Sequence, residues 1–482
     1  MKNILLSTLL FFGFAGLHAQ VEQATLLGQW SDDSLVGSNT YDNAYNEIWG
    51  VAVNNREYAV IGSTFGTHFI DITDPSNPVE VQVVKGAVSG PVIIHRDYHD
   101  NGEGILYAVA DEPTNPNLSE KSTLQIMDMR NLPGPVEVLY DSDELIFRSH
   151  NIFLDEPNKR LYAFIANGAG LGFSAMRIYD ISDPANPVFL ALHNSLAGIN
   201  IQQVHDGYVL DHIAYLNLGP GGFAVADFTD AANPVILGTL DNYPEQGYNH
   251  SGWLSQDGDY YYMADENHGR RMKVVDVRDP TDMEVINFMD AGNPSPTSIP
   301  HNQIVACDYL YVSYYYDGLQ VYDISDPANP VRIAEYDTSK EPDANNFKGA
   351  WGVYPFLPSG NVLVADMQEG LFVFEAIDKG PCDQRRGMLN GVSTREVTTN
   401  NSLLSIHPNP ATDFITITNA DTNPTEAEVS IQDITGKVIW LKQMDLVQGG
   451  NTIALPQQVA AGIYLLSVRG DGFIHTERLV VE

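Results

Sequence analysis

One phrase recurs along the chain and constrains its fold more than any other feature. It reads FIDITDPSNPVEV at 69–81, RIYDISDPANPVFL at 177–190 and QVYDISDPANPVRI at 320–333. Looser copies are QIMDMRNLPGPVEV at 125–138, FAVADFTDAANPVIL at 223–237 and KVVDVRDPTDMEVI at 273–286. In the clear copies an alternating apolar run, the mark of a strand, meets D-P-x-N-P. The aspartate oxygen accepts a backbone N–H and the first proline presets φ, which makes a tight turn. The second proline opens the next strand, where no ladder donor is needed. Upstream lie two more strands, such as LYAFIA at 161–166 and YLYVSYY at 309–315. Four strands recurring every ~45–55 residues are the pattern of a propeller blade.

The blade count follows from an anchor residue that opens each innermost strand: Trp49, His95, His150, His205, His250, His301 and Trp351. Subtraction gives gaps of 46, 55, 55, 45, 51 and 50 residues. Seven anchors predict seven blades. The last unit stops at Asp378 without its outer strand, while ATLLGQW at 24–30 stands alone at the other end. The N-terminal strand is therefore expected to complete the last blade and remove an exposed edge. The expected fold class is all-β, a seven-bladed β-propeller followed by a small C-terminal β-sandwich.

With D-[IV]-[ST]-D-P-x-N-P-V in view, the body at 20–378 resembles the LVIVD repeats of the choice-of-anchor B family. That resemblance implies a propeller joined to a C-terminal surface anchor and supplies no reaction.

Lys2, the apolar run from Ile4 to Leu17 and the L-H-A ending at Ala19 read as a secretory signal peptide, residues 1–19. The run is too short for a convincing membrane span, and no later segment offers one. Residues 379–402 are polar and rich in turn formers, and read as a linker. From 403 to 482 the pattern changes. SIHPNPATD at 405–413 leads to FITITN, VSIQDITGKVIW, NTIALPQQVAAGIYLLSV and ERLVVE. The P-N-P-A-x-D opening, the D-x-x-G-K hairpin and the G-I-Y-x-L-x-V strand resemble the type IX secretion sorting domain of Bacteroidetes. Arg478 stands where that family has lysine, which keeps the charge. The resemblance implies handling by the type IX machinery and export through the periplasm to the outer-membrane surface or the medium. Removal or exchange of the tail after export stays open.

Twenty-five Lys and Arg face 62 Asp and Glu, a formal net charge of −37. Such a surface repels phosphate backbones and headgroups, which excludes nucleic acid as a partner. Two cysteines, Cys307 and Cys382, could pair in an oxidising compartment or stay buried as thiols.

The chain has no nucleophile elbow, zinc-protease helix, phosphate loop or C-x-x-C. Asp111, Glu112, Asp265 and Glu266 fall in inter-strand loops and could hold calcium weakly, without the regular spacing of a dedicated site. The anchors carry more information. Innermost strands line the channel, so His95, His150, His205, His250 and His301 should form one arc of its mouth, and Trp351 and Trp49 the other. Arg96, Asp97, Asn151, Asp206 and Asn302 should lie beside them. Three neutral imidazoles from adjacent blades could hold copper, zinc, iron or nickel with a position open for water. The indoles could hold a flat ligand or a cation. Against this stands a structural reading, in which each histidine simply bonds the neighbouring inner strand. The remaining histidines (His68, His99, His193, His212, His268, His407 and His475) share no register and read as surface or loop residues.

Two functions follow. The first is a surface-delivered binding propeller that takes a protein or glycan on one face. The second is a metal-dependent oxidase or hydrolase built on the histidine arc. A third, a lactonase-like hydrolase, lacks a recognisable acid–base set.

Overall fold

The computed structural model describes residues 21–112, 121–196, 198–292, 295–377, 386–389, 404–419, 425–432, 438–456, 459–470 and 473–481. The expected signal peptide, most of the expected linker and Cys382 lie outside them. Cys307 is disulfide-bonded, and Cys382 is the only other cysteine of the chain. The chain divides into a unit of Met1–Val392 and a unit of Ser393–Glu482.

The first unit is all-β, and Pro280–Asp282 is its one helical turn among the described residues. Seven antiparallel sheets follow one another, each of four consecutively paired strands. Their first strands are Tyr45–Val53, His95–Asp100, Asn151–Asp155, Asp206–Leu210, Asn249–Leu254, Gln303–Ala306 and Ala350–Tyr354. Neighbouring first strands pack side by side, and the seventh returns to the first, closing a circle. The fourth strand of the seventh sheet comes from the N-terminus. Leu26–Trp30 pairs antiparallel with Gly370–Phe374, which leaves no bare edge there. Glu22–Gln23 adds a short parallel pairing to Val331–Tyr336 of the sixth sheet.

The repeated phrase has two jobs. Within a sheet it is the turn: Ser76 N–H donates to Asp74 Oδ1 at 3.1 Å, and the same bond recurs at Asp183 and Asp230. Between sheets it is a clasp on the outer strand of the preceding sheet. The Ala231 carbonyl accepts from His193 at 2.8 Å, and the Ala328 carbonyl from Asn287 at 3.0 Å. Gly238 and Gly28 lie so close to the carbonyls of Pro280 and Pro75 that a Cβ would fall 1.5 and 2.0 Å from them. In all seven sheets the pairing of third and fourth strands shifts register once. A bulge of this kind adds local twist to the outer ladder.

The stretch read as linker is partly structured. Leu389 bridges to Val53 of the first strand, and the Arg386 N–H donates to the Phe356 carbonyl. An arginine with two carboxylates in reach explains the attachment, since Asp100 and Glu156 both pair with Arg386.

The second unit holds two antiparallel sheets. One orders Leu404–His407, Phe414–Asn419 and Gly449–Ala454; the other orders Val438–Leu446, Thr425–Gln432, Gly462–Gly470 and Phe473–Val481. They share one apolar core that includes Ile415, Ile417, Val429, Ile431 and Leu466.

Candidate functional site

Side chains alternate along a strand, so residues such as Asp97 and His99, or Asn151 and Phe153, face the centre of the circle, while His150, His205 and His301 lie just ahead of their first strands. Three layers result.

The upper layer is a collar of six rings: His95, His150, His205, His250, His301 and Trp351. Successive centroids lie 4.4, 4.2, 4.1, 4.6 and 4.2 Å apart. Trp351 returns to His95 at 5.4 Å. All five predicted histidines and Trp351 are therefore brought together. Trp49 is not among them. Where His250 and Trp351 occupy a one-residue bulge at the start of their strands, the first strand bulges between Tyr45 and Ile48. Glu47 then falls at the next level down, and Trp49 deeper still.

Three imidazoles latch the next sheet. His95 Nε2 donates to the His150 carbonyl at 2.6 Å, His205 Nδ1 to the His250 carbonyl at 3.0 Å, and His301 Nδ1 to the Trp351 carbonyl. The other two do not. They approach carboxylates from the ends of second strands instead. His150 Nδ1 lies 2.8 Å from Asp111 Oδ2, and His250 Nε2 lies 3.8 Å from Glu266 Oε2. Two groups of donor atoms result, each within 4.8 Å of one another: His95, Asp111 and His150, and His250, Glu266 and His301. His205 belongs to neither, so no three histidines of adjacent sheets form a common donor set among the described residues.

The two groups differ electrostatically. Asp111 is bonded by Arg148 Nε at 2.5 Å as well as by His150. Burial opposes its charge, but the His150 bond and the attraction of His150 and Arg148 hold its carboxyl well below the usual range. Glu266 has no lysine or arginine partner among the described residues. Burial pushes it up to about 7, partly offset by a 2.6 Å hydrogen bond from the Tyr315 hydroxyl. Burial and neighbouring imidazoles hold His95 at about 3 and His250 well below its ordinary value. Such imidazoles stay neutral, the form that ligates metals.

The middle layer is acidic. Glu47, Asp97, Asn151, Asp206 and Asn302 line a cavity of about 60 Å³. The Glu47 carboxylate accepts from Asn302 Nδ2 at 3.0 Å, and Asp97 from the Ile152 N–H at 2.7 Å. Burial raises Glu47 to about 7 and Asp206 to about 7. Burial, then the Glu47 charge, raises Asp97 well above its ordinary value. Arg96 does not join this layer. Alternation turns it outward between sheets, where its guanidinium donates to the Ser63 and Val88 carbonyls, both at 2.9 Å.

The lower layer is an aromatic cup of about 300 Å³. Trp49, His99, Phe153, Tyr208, Trp253 and Phe356 line it with Glu156 and Arg386. Trp253 packs its ring 5.7 Å from Phe153 and 5.1 Å from Tyr208. Trp49 sits 4.7 Å from His99 and donates its indole N–H to Asp100 at 2.8 Å. His99 is buried, as are His68 and His193, contrary to the surface reading of all three. Sequence reasoning missed the cup although its signal was present. Phe153, Tyr208 and Trp253 each stand three residues after a collar histidine. Asp111 and Glu266 were readable too, each sixteen residues after His95 and His250.

No helix among the described residues is long and apolar enough to cross a membrane. No curated protein matches the sequence. Among solved structures, the chain is similar in fold to the periplasmic gluconolactonase PpgL of Pseudomonas aeruginosa. That match has 11% identity and a TM-score of 0.50, over 86% of this chain and 99% of that one. The WD40 repeats of RRP9 match at 8% identity and a TM-score of 0.50, over 74% and 99%. At such identity the likeness speaks for the fold alone. LVIVD repeats match at 50–85, 161–193, 251–290 and 304–338, and a secretion system C-terminal sorting domain at 405–482. The chain thus carries LVIVD repeats in a β-propeller body and ends in a type IX sorting domain, which directs export to the cell surface or the extracellular medium.

Proposed function

We propose that this protein is a seven-bladed binding propeller of the choice-of-anchor B type, exported with a C-terminal sorting sandwich and taking a glycan in its aromatic cup. Each of the seven sheets is read as one blade, and Leu26–Trp30 as the strand that closes the ring.

The observation that carries the ligand class is the cup's composition. Half-buried Trp253 and Tyr208 stand with Trp49, Phe153 and Phe356 around one space of about 300 Å³. Flat aromatic faces suit the C–H faces of a sugar ring, and a few placed polar groups give orientation. Glu156 and Arg386 supply those groups at the rim, held to each other at 2.6 Å. The net charge of −37 disfavours anionic ligands and leaves neutral saccharides as the natural class.

Capture of the full exported chain on a panel of immobilised neutral and acidic glycans tests this. Saturable binding to neutral glycans that Trp253→Ala abolishes supports it. Binding that survives this substitution, or none across the panel, removes the cup as the site. A second reading, a metal-dependent enzyme, draws on the two histidine–carboxylate groups and is pursued below only as far as the metal.

A further inference from the structure

We infer that His250, Glu266 and His301 form a binding site for one divalent first-row transition ion, with zinc and cobalt as its fitting probes. The inference stands apart from the glycan reading, since the two sites lie in different layers and either can fail alone.

The geometry is that of a two-histidine, one-carboxylate set. Donor atoms of the three residues lie within 4.8 Å of one another, and His250 Nε2 is 3.8 Å from Glu266 Oε2. Ligands at about 2.0–2.2 Å from a tetrahedral ion stand about 3.4 Å apart, so the donors complete the site by closing at most about 1.4 Å.

What His301 and Glu266 do with their other atoms favours the same conclusion. His301 spends Nδ1–H on the Trp351 carbonyl, which fixes the tautomer with a lone pair on Nε2. Metal-ligating histidines are oriented in this way. Glu266 receives the Tyr315 hydroxyl on Oε1 at 2.6 Å, leaving Oε2, the oxygen nearer His250, to coordinate. The Glu266 N–H is tied to the Tyr248 carbonyl at 2.9 Å. Tyr315 itself sits at φ +37 and is pinned by backbone bonds to Ala350. A non-glycine residue in that region is strained, and such strain persists where the surroundings over-determine it.

His250 supplies the independent sign of a ligand. It is 3% exposed and makes no hydrogen bond through either ring nitrogen among the described residues. Its Nε2 faces Glu266 at 3.8 Å, beyond a hydrogen bond. An imidazole that neither latches a carbonyl nor bonds its carboxylate is a costly thing to bury. A metal on Nε2 explains the spacing.

The sister group of His95, Asp111 and His150 also has a buried, unpartnered imidazole nitrogen, His95 Nδ1, but its carboxylate is already taken. Arg148 already occupies Asp111, and a guanidinium beside the carboxylate opposes a second cation. One site per chain is therefore expected.

The test is titration of the chelator-stripped full chain with Co²⁺, read by its visible ligand-field spectrum, and with Zn²⁺ by competition. Excess Mg²⁺ and Ca²⁺ are kept present to fill oxygen-only surface sites. The expected result is one Co²⁺ per chain with a nitrogen-containing, low-symmetry spectrum. Glu266→Gln keeps the shape of the side chain and should weaken Zn²⁺ by at least ~100-fold, and Tyr315→Phe by ~10–100-fold. Asp111→Asn should leave affinity unchanged. Absence of the spectrum overturns the proposal. So does affinity that survives Glu266→Gln, or that falls with Asp111→Asn alone. Melting curves of each metal-free variant separate loss of ligation from loss of fold.

Discussion

His205 donates its Nδ1 proton to the backbone carbonyl of His250 at 3.0 Å, joining the fourth sheet to the fifth. His95 and His301 make the same bond to the sheets that follow them. One residue type at one repeated position thus serves as latch in three sheets, while His150 and His250 turn to carboxylates. The collar is at once a structural closure and a source of ligand atoms.

Replacing the latch alone should cost stability without touching the metal. His205→Ala leaves a buried carbonyl unpaired and opens space in the collar, a loss of about 2–4 kcal/mol. Denaturant unfolding measures it, and Co²⁺ binding should remain. Unchanged stability would show that the collar bonds add nothing to closure.

The clasp between sheets predicts a second stability effect. A methyl group on Gly28 would meet the Pro75 carbonyl at 2.0 Å, so strand and turn must separate. Gly28→Ala should destabilise by about 1–3 kcal/mol. Its effect should exceed that of Gly170→Ala, where a Cβ meets nothing, once the cost of that residue's positive φ is allowed for. A thermal shift no larger than in Gly170→Ala contradicts the clasp.

Acidic side chains in the middle layer set a pH dependence. Burial raises Glu47 to about 7, with Asp97 and Asp206 facing it and Asn302 bonded to it. The unfolded chain releases that proton near the ordinary glutamate value, whereas the folded chain holds it until about 7. Between the two the folded state binds more protons, so stability falls as pH rises from about 4.5 to 7, by about 3 kcal/mol for this group. Glu47→Gln should flatten that part of the profile, as read by melting temperature against pH. A profile as steep in the variant as in the parent assigns the slope elsewhere.

Export rests on the tail. A chain lacking 405–482 should accumulate in the periplasm, because the sorting domain matched there is gone. Cell fractionation reads the outcome, and surface delivery of the truncated chain would contradict it.

The propeller was legible because its turn chemistry is local. Asp74, Asp183 and Asp230 make their bonds to residues two places on, wherever the strands go. What the turns clasp was not legible, since Gly28 and Pro75 meet only once the circle closes. The collar histidines were found from spacing, yet Trp49 was set at the wrong depth. A bulge between Tyr45 and Ile48 is invisible to a count of residues between repeats. Arg96 follows from the same limit, as alternation decides which face it takes. Glu266 and Asp111 come to their histidines from second strands, so the sixteen-residue spacing that marks them gains its meaning once two strands are paired in register. Arg386 was hidden in a stretch whose composition reads as linker, and its place comes from two distant carboxylates, Asp100 and Glu156.

The central claim, that the aromatic cup binds a neutral glycan, is tested most directly by calorimetric titration of the best-retained soluble oligosaccharide into the full chain and its Trp253→Ala and Tyr208→Ala variants. A stacked ring worth about 1.4 kcal/mol gives a tenfold change in Kd. Kd should therefore rise about tenfold or more in each variant, with the fold of each verified by circular dichroism. Equal Kd in parent and variants would place the ligand on another face and contradict the account.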